Sequence, residues 1–127
     1  MASTKKVHVC YEFNFTYRFP SLNEWYSGKH WRIRSNQKDV LKKYFFGHIA
    51  ELITNKVHLI EFEIEMEYNN RIDTDNNIPC IKIFVDTLRA YGIIANDSGK
   101  FFKSLRITYN NKLKNNESNI KLKGVLK

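Results

Sequence analysis

The chain has 127 residues, a formal net charge of +8 and a pI of about 9.5. Its hydrophobic fraction of 43% allows a folded core and excludes wholesale disorder, and its length fits one domain, residues 1–127. No apolar run approaches the roughly 20 residues that span a bilayer, so no membrane partner is expected. The N-terminus shows no signal-peptide pattern, and Cys10 and Cys80 lack zinc-ligand spacing. We therefore expect two reduced thiols in a cytoplasmic protein.

The positive charge is distributed unevenly along the chain. Residues 1–20 carry +2, residues 21–46 carry +4, residues 47–97 carry −5 and residues 98–127 carry +7. A strongly basic protein favours a polyanionic partner, most often nucleic acid. An acidic middle between basic flanks also suits a nuclease, which needs carboxylates to hold a metal and cations to hold phosphates.

The first predicted elements are a strand and a helix. The segment Val7 to Phe15 is β-branched and aromatic with imperfect alternation, which predicts a strand that ends before Pro20. From about Arg34 to Ile53, apolar side chains recur at steps of three and four, which predicts an amphipathic helix despite Gly47. The predicted apolar stripe of this helix is Leu41, Tyr44, Phe45, His48, Ile49 and Leu52.

The clearest alternation runs from Ile60 to Tyr68. Apolar side chains occupy every second position from Ile60 and glutamates occupy the positions between them, which predicts a strand with one buried face and one solvated face. The glutamates could form a metal site, but a polar sheet face is the favoured interpretation. Lys121 and Lys123 alternate in the C-terminal segment and are expected to face these glutamates across the sheet.

A second helix is predicted from about Ile78 to Tyr91. Pro79 suits its first turn, a preceding Asn or Asp can cap it, and Gly92 is a plausible stop. Its predicted buried stripe is Ile78, Ile81, Phe84, Val85 and Leu88. Strands are predicted over Phe101 to Tyr109 and Asn119 to Leu126. The order β-α-β-α-β-β predicts an α+β fold, a mixed sheet with two helices packed on it.

Asp73 and Asp75 stand two residues apart between the predicted strand and the second helix. In extended chain, residues i and i+2 point to the same side, so both carboxylates could bind one hard cation, Mg²⁺ or Mn²⁺ rather than zinc. Helix capping is the alternative, and on Asp-x-Asp alone it is favoured. An EF-hand is excluded because Ile78 and Phe84 occupy the positions of its essential glycine and glutamate.

Two further residues could belong to the same site. Asp97 follows the second helix, and a turn and the next strand could bring it back as a third carboxylate; a simple turn before a strand is the alternative. Lys82 could place its ammonium on a scissile phosphate and offset transition-state charge. The alternative is a surface pair with Asp86, four residues later.

Cations cluster near the N-terminal third of the chain. Lys29, His30, Arg32 and Arg34 lie close in sequence to Trp25, Tyr26 and Trp31. The cations could contact phosphates, and the rings could stack on exposed bases. A solvated loop anchored by aromatic side chains is the alternative. Arg71 and Lys100 are further candidates for DNA binding.

Taken in order, these segments resemble RusA-type Holliday-junction resolvases. The similarity lies in Arg71-Ile-Asp73-Thr-Asp75-Asn76, in Lys82-x-x-x-Asp86-Thr-Leu88, and in Gly92-Ile-Ile-Ala-Asn96-Asp97-Ser98. Residues Pro20 to Tyr26 and His30 to Arg34 are similar to the family's N-terminal region. The resemblance covers roughly residues 20 to 105.

The resemblance implies a homodimeric, Mg²⁺-dependent endonuclease that makes paired nicks in four-way DNA junctions, with Mn²⁺ as a substitute metal and no organic cofactor. Asp73, Asp75 and Asp97 match the metal-binding aspartates and Lys82 matches the catalytic lysine. A bacterial cytoplasmic location and a phage or prophage origin fit this family. Surplus apolar residues from Phe13 to Phe19, with the N-terminal strand, are the predicted dimer interface.

Two departures from the family pattern keep a second hypothesis open. Asn96 stands where the family usually has the first of two adjacent aspartates, and the spacing from Asn76 to Lys82 is longer than in the best-known member. A branched-DNA-binding module of the same fold with weakened or lost catalysis would fit both. A generic basic structural protein is a third hypothesis, but it leaves the ordered motifs unexplained.

Overall fold

The computed structural model describes residues 6–16, 31–69, 77–96 and 98–127, with only the backbone over 31–37. Within these ranges the elements follow the predicted order β-α-β-α-β-β and form an α+β fold, which confirms the predicted class. The elements are β1 (His8–Phe15), α1 (Trp31–Thr54), β2 (Leu59–Asn69), α2 (Ile78–Ala90), β3 (Phe102–Tyr109) and β4 (Glu117–Leu126). The predicted break at Pro20 lies outside the described residues.

The four strands form one mixed sheet in the order β1-β4-β2-β3. β4 is antiparallel to both β1 and β2, whereas β2 and β3 are parallel. Parallel neighbours cannot be joined by a tight hairpin, and α2 lies in the connection between β2 and β3. No helix in the described residues is long and apolar enough to cross a bilayer.

An aromatic cluster joins the sheet to both helices. The Phe15 ring lies 5.3 Å from that of Phe45 on α1, and the Phe45 ring lies 5.2 Å from that of Phe84 on α2, both edge to face. Phe13 contacts Phe84 at 5.6 Å. Phe13 is 8% exposed and Phe15 is fully buried, so the prediction that these residues form a dimer interface is wrong. Phe19 lies outside the described residues.

The predicted stripe of α1 faces this core. Four of its six members are buried (Leu41, Phe45, Ile49 and Leu52), and Tyr44 and His48 are half-buried at its border. The helix begins at Trp31, three residues before the predicted start.

The predicted alternation of β2 is confirmed over most of the strand but fails at Ile60, near its start. Phe62, Ile64, Met66 and Tyr68 are at most 2% exposed, but Ile60 is 39% exposed. In the pairing of β2 with β4 the register shifts between Leu59 and Glu61, so Ile60 is an additional residue. Because this bulge reverses the pleat, Leu59 takes the buried position predicted for Ile60.

Gly124 allows β4 to lie close to this bulge. A Cβ atom at position 124 would lie 2.9 Å from the Glu61 carbonyl oxygen and 2.9 Å from Leu59 Cδ1. Contacts this short do not occur for real side chains, so the bulged strand and β4 can approach only with glycine at this position.

The predicted stripe of α2 is confirmed at four of five positions. Ile81, Phe84, Val85 and Leu88 are buried, together with additional residues on the flanks of the stripe, but Ile78 is 47% exposed. Ile78 opens the helix, and there Pro79 and Cys80 point inward instead. The periodicity of a stripe cannot show where the first turn leaves the core.

Gly92 ends α2 as predicted. It adopts φ +77°, and its N–H donates to the Arg89 carbonyl at 3.1 Å, while the Ile93 N–H donates to the Leu88 carbonyl at 3.0 Å. These two bonds form a Schellman motif, which requires a left-handed residue and favours glycine.

Candidate metal and nucleic-acid site

Most of the predicted site lies outside the described residues. This applies to Asp73, Asp75, Asp97 and Arg71, and to Lys29 and His30. Arg32 and Arg34 lie in the first turn of α1, where only the backbone is described. Lys82 and Lys100 are described in full, and both are exposed.

The segment that contains Asp73 and Asp75 joins two firmly held residues. Asn69 ends β2; its Nδ2 donates to the Leu113 carbonyl at 2.6 Å and its own carbonyl accepts the Asn116 N–H at 2.7 Å. On the other side, Asn77 is 1% exposed and is the N-cap residue of α2. Asp73 and Asp75 therefore follow a fixed strand end and precede a buried N-cap residue.

The start of α2 bears on the capping alternative for the two aspartates. The N-cap residue is Asn77, which has helical dihedral angles and makes no side-chain capping bond. Asp73 and Asp75 precede it by four and two residues. Neither aspartate therefore occupies the N-cap position, and the prediction that an Asn or Asp caps this helix is wrong for Asn77.

Asn96 and Ser98, the neighbours of Asp97, form a turn that starts β3. The Asn96 Oδ1 accepts the Ser98 N–H at 3.1 Å, and the Ser98 carbonyl accepts the N–H groups of Phe101 and Phe102 at 2.9 and 2.8 Å. An aspartate oxygen could accept the same bond. An aspartate at position 96 could therefore make the same turn.

The residues next to the predicted ligands lie at opposite ends of β2: Asn69 precedes Asp73 and Asp75, and Asn96 and Ser98 are the neighbours of Asp97. Ile94 bridges to Leu59 and Phe102 pairs with Phe62, so Asn96 and Ser98 lie near the amino end of the strand. Asn69, which precedes Asp73, is at the carboxyl end. Seven residues from Phe62 to Asn69 span about 23 Å of strand. The convergence of Asp73, Asp75 and Asp97 on one metal stays a prediction, and it requires residues 70–76 to bridge this separation.

Lys82 is exposed on α2, and Asp86, its predicted surface partner, forms an ion pair with a different lysine. The Asp86 carboxylate lies 3.8 Å from the Lys38 ammonium on α1. No carboxylate of the described residues lies within ion-pair distance of Lys82. Within the described residues, no carboxylate therefore competes with an added anion for this ammonium.

The glutamate row of β2 is a polar sheet face, as the favoured interpretation held. The Lys123 Nζ donates to the Glu65 Oε1 at 2.8 Å, and Glu61 lies 3.9 Å from the ammonium groups of both Lys6 and Lys103. The predicted pairing of Lys121 and Lys123 with this row is confirmed, since they are in register with Glu65 and Glu63. The hydrogen bond from Lys123 holds the pKa of Glu65 below its ordinary value, against the opposing effect of burial.

The described part of the chain contains no cluster of side chains that could form a metal site. In residues 6–16, 31–69, 77–96 and 98–127, no three His, Cys, Asp or Glu side chains converge. Both cysteines are free, as predicted; Cys10 is exposed, whereas Cys80 is buried and its thiol pKa is raised by burial. A cavity of about 670 Å³ lies on the open sheet face beside His8 and Cys10, and no motif of the sequence indicates it.

Two sets of lysines differ in whether they have carboxylate partners. On the open sheet face, Lys6, Lys103, Lys121 and Lys123 all have carboxylate partners within 4 Å. On the helices and the loop after α2, the exposed or half-exposed lysines Lys42, Lys43, Lys82 and Lys100 have no such partner among the described residues. Cations that already have a partner contribute less to phosphate binding, so the helical side is the better candidate for a DNA-facing surface.

The chain was compared with known protein families and with curated proteins. No family model matches it, and no curated protein matches it. The resemblance to RusA-type resolvases therefore rests on the ordered motifs of the sequence alone.

Proposed function

We propose that the chain is a Mg²⁺-dependent endonuclease that acts on branched DNA, with the four-way junction as its substrate and a homodimer as its active form. The observation that carries this proposal is the ordered set of motifs around Asp73, Asp75, Lys82 and Asp97. The net charge of +8 supports a polyanionic partner. The turn made by Asn96 removes one objection, because Asn fills that structural role as well as Asp.

The proposed ligands suit the metal. Three carboxylates without thiol or imidazole partners form a hard oxygen donor set, which favours Mg²⁺ or Mn²⁺ over zinc. Asp73, Asp75 and Asp97 would hold the ion. When bound, Mg²⁺ polarises a phosphate and lowers the pKa of an attacking water.

The chain's own cations have a separate role. Lys82 is exposed, and no described carboxylate competes for its ammonium, so it can offset the charge that develops on a phosphate during hydrolysis. Lys42 and Lys43 on α1 would attract the neighbouring phosphates of the DNA backbone, without recognising the base sequence. These contacts orient the DNA and do not depend on the metal.

The test uses the full chain with a labelled four-way junction and a linear duplex of the same sequence, each with and without Mg²⁺. Asp73→Asn, Asp75→Asn and Asp97→Asn should each reduce junction cleavage by at least about a hundredfold while junction binding is kept, because a neutral amide is a poor metal ligand and does not weaken attraction to DNA. Asp39→Asn is the matched control, since Asp39 is an exposed aspartate on α1. It should cut at the wild-type rate.

The outcomes separate the competing hypotheses. Wild-type cleavage by any of the three variants removes that residue from the ligand set. Tight junction binding without cleavage in either Mg²⁺ or Mn²⁺ supports the binding module that lost catalysis. Equal, weak binding to junction and duplex favours a generic basic protein.

A further inference from the structure

The two edges of the sheet differ in how their apolar side chains are covered. On β1, the residues that face the helices include Phe13 and Phe15, and both are buried under α1 and α2. On β3, the corresponding row is Leu105, Ile107 and Tyr109. Leu105 is 41% exposed and Tyr109 is 54% exposed, and Ile107 is half-buried. The helices therefore cover one edge and leave the other uncovered.

The backbone of β3 is also open along this edge. The Asn110 N–H donates to the Tyr68 carbonyl, so position 110 points its peptide groups toward β2. Peptide direction alternates along a strand, and the N–H and C=O groups of Leu105, Ile107 and Tyr109 therefore point away from β2. Within the described residues, these groups have no main-chain partner.

We infer that β3 pairs antiparallel with β3 of a second copy of this chain, with Ile107 opposite the partner's Ile107, to form a continuous eight-stranded sheet across a two-fold axis. This pairing would satisfy the outward peptide groups of the edge. It would also place Leu105 and Tyr109 opposite one another in both halves of the interface, which covers the two exposed apolar side chains of the strand. The interface is isologous and closed.

The charges of the strand disfavour two neighbouring registers. Centring the pair on Arg106 would set two guanidinium groups directly opposite each other, which is destabilising. Centring it on Leu105 would set Lys103 opposite the partner's Ile107. With Ile107 at the centre, Arg106 lies opposite the partner's Thr108, and no charged side chain faces another directly.

The basic residues of β3 do not prevent the association. Lys103 lies 3.9 Å from the Glu61 carboxylate, and Arg106 interacts with the Glu65 carboxylate, so β2 offsets both charges within one chain. The register shift of β3 near Lys103 confines regular pairing to residues 104–110. The apolar residues of this edge, Leu105, Ile107 and Tyr109, all lie within that segment.

Cross-linking tests the register directly. In a Cys10→Ser background, which removes the exposed thiol, Ile107→Cys should form a disulfide-linked dimer on oxidation, because directly opposed residues of a hydrogen-bonded pair have Cα atoms about 5.5 Å apart. Leu105→Cys is the matched control. Its own counterpart would lie four residues away along the strand, about 13 Å, which is too far for a disulfide.

Association without cross-linking is measured by sedimentation over a concentration series. Tyr109→Lys should raise the dimer dissociation constant about tenfold or more, because it places an ammonium opposite the partner's Leu105. Tyr91→Lys changes a tyrosine of similar exposure, 48%, at the end of α2 and should leave the constant unchanged. Circular dichroism confirms that both variants are folded.

Three results would overturn the inference: a wild-type chain that stays monomeric, a dimer that Tyr109→Lys does not weaken, or equal cross-linking through positions 105 and 107. Capture of an unrelated strand-forming peptide by a monomeric chain would also count against it. None of these measurements uses DNA or metal. A chain that stays monomeric would also contradict the homodimer of the proposed function, whereas a dimer that forms through another surface would refute only the β3 interface, and loss of metal-dependent cleavage would leave that interface untouched.

Discussion

On β2, the side chains that face the helices and those that face away differ in composition, burial and partners. Phe62, Ile64, Met66 and Tyr68 are at most 2% exposed and pack against the helices. The four glutamates that alternate with them, beginning at Glu61, lie on the open face, where lysines of β3 and β4 neutralise part of their charge. One strand therefore supplies both the centre of the core and a row of structural counterions.

This difference changes how the charge of the chain is interpreted. Four of the acidic residues in the acidic middle, residues 47–97, are the glutamates of the open face, so the local charge of −5 does not measure a metal site. The proposed metal site therefore depends on the three motif aspartates, Asp73, Asp75 and Asp97, and not on these glutamates. The cations differ as well: Lys6, Lys103, Lys121 and Lys123 on the open face have carboxylate partners, and so does Lys38 on α1, whereas Lys42, Lys43, Lys82 and Lys100 have none among the described residues.

The largest effect that tests this comparison should come from adjacent residues on opposite faces. Ile64 is fully buried and Glu63, its neighbour, is exposed. Ile64→Ala should lower the free energy of unfolding by about 2–5 kcal/mol, because it removes buried methyl groups and leaves a cavity. Glu63→Ala should change it by no more than about 0.5 kcal/mol. Urea titration of both variants measures the difference, and similar losses would contradict the assignment of the two faces.

A second pair of substitutions tests how closely β4 lies against the bulge of β2. Gly124→Ala should lower the free energy of unfolding by about 1–3 kcal/mol, because its methyl group would lie 2.9 Å from the Glu61 carbonyl oxygen. Gly47→Ala provides the control with the opposite sign. No atom lies within 4 Å of its added Cβ, and alanine in a helix interior should stabilise by about 0.5–1 kcal/mol. Thermal unfolding of both variants checks the signs, and stabilisation by Gly124→Ala would be incompatible with the described bulge.

The element order and the fold class could be predicted because the apolar periodicity in each segment is strong. Ile60 and Ile78 were misplaced for a different reason. At Ile60, the alternating pattern of the sequence continues through the bulge, although the bulge reverses which face of the sheet a side chain occupies. At Ile78, the apolar helical pattern continues into a first turn that lies outside the core. In both cases tertiary structure decided the burial of a single residue that local pattern could not.

The predicted dimer interface is wrong at Phe13 and Phe15, because surplus apolar side chains can pack within the chain as well as against a second subunit. Phe13 and Phe15 were assigned to a second subunit, but Phe45 and Phe84 contact them within the chain. Of the candidate site, the exposure of Lys82 is established, and the positions that precede and follow the aspartates are fixed. The sequence has no pattern that reports how Asp97 lies relative to Asp73 and Asp75, because this depends on pairings more than twenty residues apart.

The smallest effect should come from the ion pair between Glu65 and Lys123 on the open face. The hydrogen bond from Lys123 lowers the pKa of Glu65 from 4.5, and the same bond raises the pKa of Lys123 from 10.5. A carboxyl whose pKa is lower in the folded state binds fewer protons there than in the unfolded chain. Its stabilisation is therefore complete above the unfolded pKa and is lost as the pH falls through the folded pKa.

Glu65→Gln should consequently be less stable than the wild type near neutral pH, and the difference should shrink as the pH falls through the folded-state pKa of Glu65, which is lower than its ordinary value. Added salt should reduce the difference at neutral pH, because the pair is partly exposed and screened. Melting temperatures measured between about pH 3 and pH 7 follow both effects. Glu63→Gln is the control on the same face, since no described cation lies within ion-pair distance of Glu63, and its melting curve should run parallel to the wild type. A gap between Glu65→Gln and the wild type that stays constant over this range would show that Lys123 does not stabilise the charged form of Glu65.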